Sequence, residues 1–138
     1  MSAGLQVGTG TAIPALTARL TRETLVRYAG ASGDFNPIHY SDFHATALGL
    51  PGVIGHGMLT MGLALRAVTD WAGDPTRVRA AFVRFTRPIP VPDDATGAEL
   101  VVNGTVTKIT DGVATVQLDV RHGTEKVLGM ATAEVDIS

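Results

Sequence analysis

The sequence predicts an α+β fold, a single domain over residues 1–138, in which an antiparallel sheet curls around one long apolar helix. Three observations predict it. The first is the stretch 58–71. Met58, Leu59, Met61, Leu63, Leu65, Val68 and Trp71 leave it almost no polar face, and Arg66 and Asp70 are its only charges. A helix apolar nearly all round must be covered on most sides. It is too short to span a membrane, so a wrapped sheet is the simplest cover. The second is the strict alternation of residues 113–121. Ala114, Val116, Leu118 and Val120 face one way, and Thr115, Gln117, Asp119 and Arg121 the other. The third is the order of elements: one strand, then helices, then a meander of about four strands.

Residues 12–20 read as the first strand. Thr21 caps a helix with Glu23 in its first turn, and Leu25, Val26, Tyr28 and Ala29 supply its apolar face. Gly30 and Gly33 stop it. A polar loop, 32–40, follows, and Ser41 or Asp42 starts a short helix ending near Gly49. Pro51 and Gly52 turn the chain before the apolar helix. Residues 77–89 are strand-like and run into a proline-rich segment, and residues 100–109 form the next strand. Thr110-Asp111-Gly112 signals a hairpin. His122 to Glu125 makes a second turn. In the last strand Val127, Ala131, Ala133, Val135 and Ile137 share a face.

Composition narrows the function classes. Apolar residues are 45% and charged residues 17%, which describes a globular chain rather than a disordered one. The net charge of −2 and the absence of any basic block argue against nucleic acid or an anionic membrane surface as partner. The absence of cysteine excludes disulfides, thiolate metal sites and a cysteine nucleophile, and fits a reducing cytoplasm. Residues 1–14 lack a basic and an apolar leader region, so neither a signal peptide nor a membrane span is expected.

Chemistry concentrates in two segments. In Tyr28 to His39, a carboxylate and an imidazole, Asp34 and His39, sit five residues apart around an Asn36-Pro37 turn. Pro37 fixes φ and biases Asn36 to an extended shape, and Gly33 permits a sharp entry. The loop can aim both side chains at one point, where they could exchange protons with a shared water near neutral pH. The competing reading is an Asx turn in which Asp34 caps the next helix and His39 is a satisfied surface group.

The second segment is Ile54 to Thr60, where Gly55 and Gly57 flank His56 just before the apolar helix. Backbone N–H groups and the helix dipole at such a start can stabilise a developing oxyanion. Equally, the glycines can serve only close packing. His56 is expected to orient the loop through a hydrogen bond. His44 and His122 are expected at the surface. The four histidines lack any metal-site spacing, so no metal is expected. Ser32 lacks a nucleophile-elbow context. Arg84 and Arg87 are read as a solvated strand face, with a phosphate of coenzyme A or of a carrier arm as the alternative.

Together the segments Tyr28 to His39 and His56 to Leu59, with the Phe82-Val83-Arg84-Phe85-Thr86-Arg87-Pro88 strand, resemble the MaoC-like, or R-hydratase, family. Tyr28 to Asp34, His56 to Gly62, Trp71 to Pro75 and Val91 to Asp94 are similar to the β subunits of mycobacterial-type (3R)-hydroxyacyl-ACP dehydratases. One departure is Val91-Pro92-Asp93, where many members have Pro-Gly-Asp after the strand.

The resemblance implies a hot-dog fold and a dimer, of like chains or with a related hot-dog subunit. It implies an acyl thioester on coenzyme A or acyl carrier protein as substrate, with no further cofactor, and reversible hydration of trans-2-enoyl to (3R)-hydroxyacyl thioesters. It carries over Asp34 and His39 as catalytic, the Gly57 N–H as oxyanion donor and Asn36 as a positioner. Ser32, Pro37 and Met58, which lie within the two motifs, are expected against the substrate. An acyl-thioester hydrolase on the same frame, or a non-catalytic acyl-binding subunit, are the other readings.

Overall fold

The computed structural model describes residues 4–138, so the first three residues of the 1–14 stretch lie outside it. Strand β1 (Ala12–Leu20) is followed by α1 (Arg22–Ser32), a 3-10 turn at Pro37–His39, α2 (Asp42–Ala47) and α3 (Gly57–Ala72). A 3-10 turn at Pro75–Arg77 leads into β2 (Val78–Phe85), β3 (Ala98–Thr110), β4 (Val113–His122), β5 (Glu125–Lys126) and β6 (Leu128–Asp136). The sheet runs β1-β3-β4-β6-β2, with β5 on β4, and every strand pair is antiparallel. This is the α+β, hot-dog arrangement, with β1 and β2 left as edges.

Alternation builds the core. Leu100, Val102 and Val106 of β3, Ala114, Val116, Leu118 and Val120 of β4, and Ala131, Ala133 and Val135 of β6 are buried. They meet Ala64, Ala67, Val68 and Ala72 of α3 in one cluster. Alanines on the helix let the sheet approach closely, and each fully buried valine or leucine contributes about 2 kcal/mol. The cover is one-sided, however. Met58 remains 58% exposed, and Leu63 and Leu65 are only half-buried. The sheet stays open, so the apolar stretch is less enclosed than its sequence suggests.

Local chemistry sets the element ends. Thr21 caps α1 in a reciprocal box with Thr24. Gly30 continues the helix, and only Gly33, at φ 77°, ends it, its N–H closing on the Ala29 carbonyl. Strand β2 is shorter than the predicted 77–89. Arg77 belongs to the preceding 3-10 turn, buried, with its guanidinium donating to the Asp136 and Ser138 carbonyls. Pairing along β2 stops at Phe85, just before a segment in which Pro88 and Pro90 have no N–H to offer. Asp111 and Gly112, at φ 53° and 75°, form the two-residue hairpin between β3 and β4.

The last strand departs from simple alternation. Val127 lies between β5 and β6, its N–H on the Val120 carbonyl and its own carbonyl taking the Thr86 N–H. Register shifts where Phe82 opposes Thr132 but Arg84 opposes Gly129, and the extra residue Met130 sits at φ 47°. That bulge makes both Leu128 and Ala131 face inward. Among the described residues no helix is long and apolar enough to cross a membrane.

Candidate active site

The loop between α1 and α2 spends its polar side chains on its own backbone. Ser32 Oγ accepts the Asp34 N–H at 3.1 Å, Asp34 Oδ1 accepts the Asn36 N–H at 3.2 Å, and Asn36 Oδ1 accepts the Ile38 N–H at 3.2 Å. Asn36 thereby caps the 3-10 turn in which Pro37 holds the first position, and the His39 N–H closes it on the Asn36 carbonyl at 3.0 Å. The Asx turn is therefore real, but it uses one oxygen of Asp34. The other, Oδ2, lies 3.8 Å from His39 Nε2. Asn36 and Ser41, not Asp34, cap the elements that follow, and His39 is buried rather than at the surface, so Asp34 Oδ2 is left facing His39.

The two groups sit in different surroundings. The Asp34 side chain is half-exposed, whereas His39 is 8% exposed. His39 Nδ1 lies 2.7 Å from the Ile54 carbonyl. A carbonyl only accepts, so Nδ1 carries a proton, and in the neutral ring it is Nε2 whose lone pair faces Asp34. At 3.8 Å the pair is too long for a good direct bond and well placed to share one small molecule.

His56 backs the pair. It is 1% exposed, stacks on His39 with ring centroids 3.8 Å apart and an interplanar angle of 22°, and meets the edge of Tyr28 at 4.7 Å. Its Nε2 lies 3.3 Å from the Asp34 carbonyl and donates to it, and its buried Nδ1 has no partner among the described residues. Burial first, and the neighbouring His39 second, push the His56 pKa below the ordinary value. Burial thus favours the neutral ring, and its one hydrogen bond ties His56 to the loop at the Asp34 carbonyl.

A cleft of about 440 Å³ opens beside these groups, and Asp34, His39, Gly57, Met58, Thr60 and Phe85 are among its walls. Ile38, Ile54 and Leu128 make much of the rest apolar, and Arg87, paired with Glu125 at 3.1 Å, stands in its lining. The start of α3 forms one wall. Thr21 and Ser41 cap α1 and α2, but His56 makes no side-chain cap on α3. The first bond of α3 is Thr60 N–H to the His56 carbonyl, so the preceding N–H groups at Gly57 to Leu59 are left for a ligand. Gly57 matters twice: a Cβ there would stand 3.0 Å from the Phe85 ring.

Of the other sequence-derived candidates, Ser32, Asn36 and Pro37 lie outside the cleft walls and hold the loop in shape. His44 is exposed and hydrogen-bonded to Ser41 Oγ; His122 is half-buried, with Nδ1 2.9 Å from the Glu99 carbonyl. Asp34, His39 and His56 bring three ligand-type atoms within 4.8 Å of one another. Two nearly parallel stacked rings direct their lone pairs along separate planes, and the His56 Nε2 proton is committed to a carbonyl, so this donor set suits a resident ion poorly. Sequence reasoning missed Phe85, Thr60 and the histidine stack. Phe85 and Thr60 read as ordinary strand and helix residues, and stacking of residues 17 apart leaves no local signal.

An open antiparallel sheet on a central helix, with a carboxylate–imidazole pair facing that helix's uncapped start, defines a hot-dog protein with a largely apolar cleft that carries a few convergent polar groups. The family model for the MaoC like domain matches residues 7–123, and the chain belongs to that family. It is 40% identical over 82 residues to the 3-hydroxyacyl-thioester dehydratase X of Mycobacterium tuberculosis, covering 59% of this chain and 28% of that protein. Among solved structures, a MaoC-like dehydratase superposes with a TM-score of 0.91 at 38% identity over 96% of this chain and 41% of the other. The ChsH1-ChsH2 complex from Mycobacterium tuberculosis gives 0.83 at 25% identity, over 96% of this chain and 100% of the matched one. The chain spans less than half the length of the first two.

Proposed function

We propose that this chain is a hydro-lyase that adds water to trans-2-enoyl thioesters and removes it from (3R)-hydroxyacyl thioesters, in fatty-acid metabolism. The observation that carries the reading is Asp34 Oδ2 and His39 Nε2, 3.8 Å apart at a cleft that also exposes the free N–H groups of α3. The dehydratase named above, similar over 82 residues, supports the substrate class.

In the hydration direction the pair holds one water over C3. The water oxygen forms the new C3–O bond as one member of the pair takes its proton, and that same proton then passes, directly or through the other member, to C2. The thioester carbonyl accepts the Gly57 N–H, where enolate charge is stabilised while it exists; one such donor is typically worth about 100- to 1000-fold in rate. Dehydration retraces the same steps. Atoms and electrons balance with water alone, so the reaction calls on no redox cofactor, and the acyl group arrives on coenzyme A or the phosphopantetheine of acyl carrier protein.

The reading includes a second hot-dog subunit, identical or related. Edge strand β2 exposes Phe82 and Phe85 at 53% and 55%, beside exposed Met130, which is more apolar edge than a lone sheet usually leaves open. The ChsH1-ChsH2 structure is by name a complex of two components, one chain of which has this fold, and it supports this reading. A cysteine-free chain fits the cytoplasm.

The test is an assay of purified chain, with and without a partner subunit, on trans-2-butenoyl-CoA. Loss of the conjugated thioester absorbance without free thiol is the expected result. Thiol release would make the chain a hydrolase, and neither signal would make it a non-catalytic acyl-binding subunit.

A further inference from the structure

Beyond the pair and its cleft, one charged contact reaches the site without touching it. Asp42, the first residue of α2, accepts the Val53 N–H at 2.9 Å and an Arg22 Nη2 proton at 3.0 Å, both on Oδ1. Arg22 also donates from Nε to the Val91 carbonyl at 2.6 Å, and the Val91 N–H returns to the Val53 carbonyl at 3.0 Å. Arg22, Asp42, Val53 and Val91 therefore close a ring of hydrogen bonds. A Cβ on Gly52 would stand 3.0 Å from Asp42 Oδ1, so that glycine keeps the approach open.

The ring borders the His39 acceptor. Ile54 follows Val53. Its N–H bonds the Ile38 carbonyl at 3.1 Å, and its carbonyl takes the His39 Nδ1 proton. On the other side, α2 grows directly out of the turn that carries His39, with the Ser41 N–H on the Pro37 carbonyl at 2.8 Å. Asp42 thus ties the His39 turn to the segment holding that acceptor. We propose that Asp42, braced by Arg22, is a positioning residue: it sets the gap between the His39 turn and Ile54, and so fixes the Nδ1–H tautomer and the aim of Nε2 at Asp34. The kinetic consequence rests on the hydration reading; the tautomer does not.

Strength and placement favour this role over a purely stabilising one. A half-exposed Arg–Asp pair adds little stability by itself. Bonds to an ionised acceptor are roughly twice as strong as neutral ones and hold geometry better. The Val53 N–H first, and Arg22 second, hold the Asp42 carboxyl below its ordinary pKa, so it is ionised at neutral pH.

The experiment compares wild type, Asp42→Ala and Asp42→Asn by nitrogen-15 NMR of the histidine rings and by kcat and KM on trans-2-butenoyl-CoA. Arg27→Ala, which removes only an exposed pair with Glu23, is the control. Wild type should show His39 with a protonated Nδ1 and an unprotonated Nε2. Asp42→Ala should mix the tautomers and lower kcat about 100-fold with KM nearly unchanged, the size expected for a small misplacement. Asp42→Asn keeps an oxygen for Val53 and should retain the tautomer and most of the rate. A wild-type tautomer and wild-type kcat in Asp42→Ala overturn the proposal, as does a loss confined to KM. If Asp42→Ala does not fold, Arg22→Gln replaces it: a shifted tautomer supports the role and an unchanged one overturns it. A wild-type chain that leaves the enoyl thioester untouched refutes the hydration reading alone, because the ring spectra still decide the role of Asp42.

Discussion

Asp34 works with both oxygens, one shaping the loop and one facing His39, and that division shapes what substitutions should do. Asp34→Asn preserves the Asx turn and removes the charge beside Nε2, so it should lower kcat about 1000-fold, in the range general acid–base groups supply, with an unchanged melting temperature. His56 makes a different prediction. Its folded-state pKa is depressed, so its neutral form is free of penalty above the ordinary value of 6.5. As pH falls below that value the unfolded chain binds a proton that the folded chain resists, and stability falls. Melting temperature followed from about pH 7.5 to about pH 5.5 should therefore drop more steeply for wild type than for His56→Gln. Equal slopes would show that His56 titrates freely in the folded state. Asp34, His39 and His56 were all legible in the sequence, because their loop carries its own turn chemistry. The stack of His39 on His56 was not, since it depends on how Ile54 packs against the turn at Pro37–His39.

At the scale of elements, the hairpin and the bulge show where sequence pattern carries information and where it stops. Asp-Gly between two alternating runs announces its turn, and both residues adopt positive φ as that turn requires. The bulge at Met130 has no such signature: methionine is a poor choice for φ 47°, so alternation alone predicts an unbroken strand from Val127. Met130→Gly should relieve that backbone and raise unfolding free energy by about 1 kcal/mol in urea titration, with activity unchanged. A loss of stability would mean that the exposed Met130 side chain is covered in the assembled protein. The start of α3 gives the opposite case. Gly57→Ala improves helix propensity by about 1 kcal/mol, yet its Cβ meets Phe85 at 3.0 Å beside the N–H proposed to bind the carbonyl. It should leave melting nearly unchanged and lower kcat, measured on the same enoyl thioester.

For the whole molecule, the sequence made the sheet-on-helix architecture legible, because period-two strands and an all-round apolar helix are strong patterns. It overstated the enclosure of that helix. Hydrophobicity records the need for cover without saying which chain provides it, and Met58, Phe82 and Phe85 remain open here. Phe82→Asp should therefore shift the molecular mass by light scattering towards one chain, while a constant mass would place the interface elsewhere. The most direct test of the shared-water pair is a double-mutant cycle on kcat/KM with Asp34→Asn, His39→Ala and the two combined. Two groups acting on one water form a unit, so the double variant should be little worse than either single one. Losses that multiply independently, or single variants with near-normal rates, would contradict it.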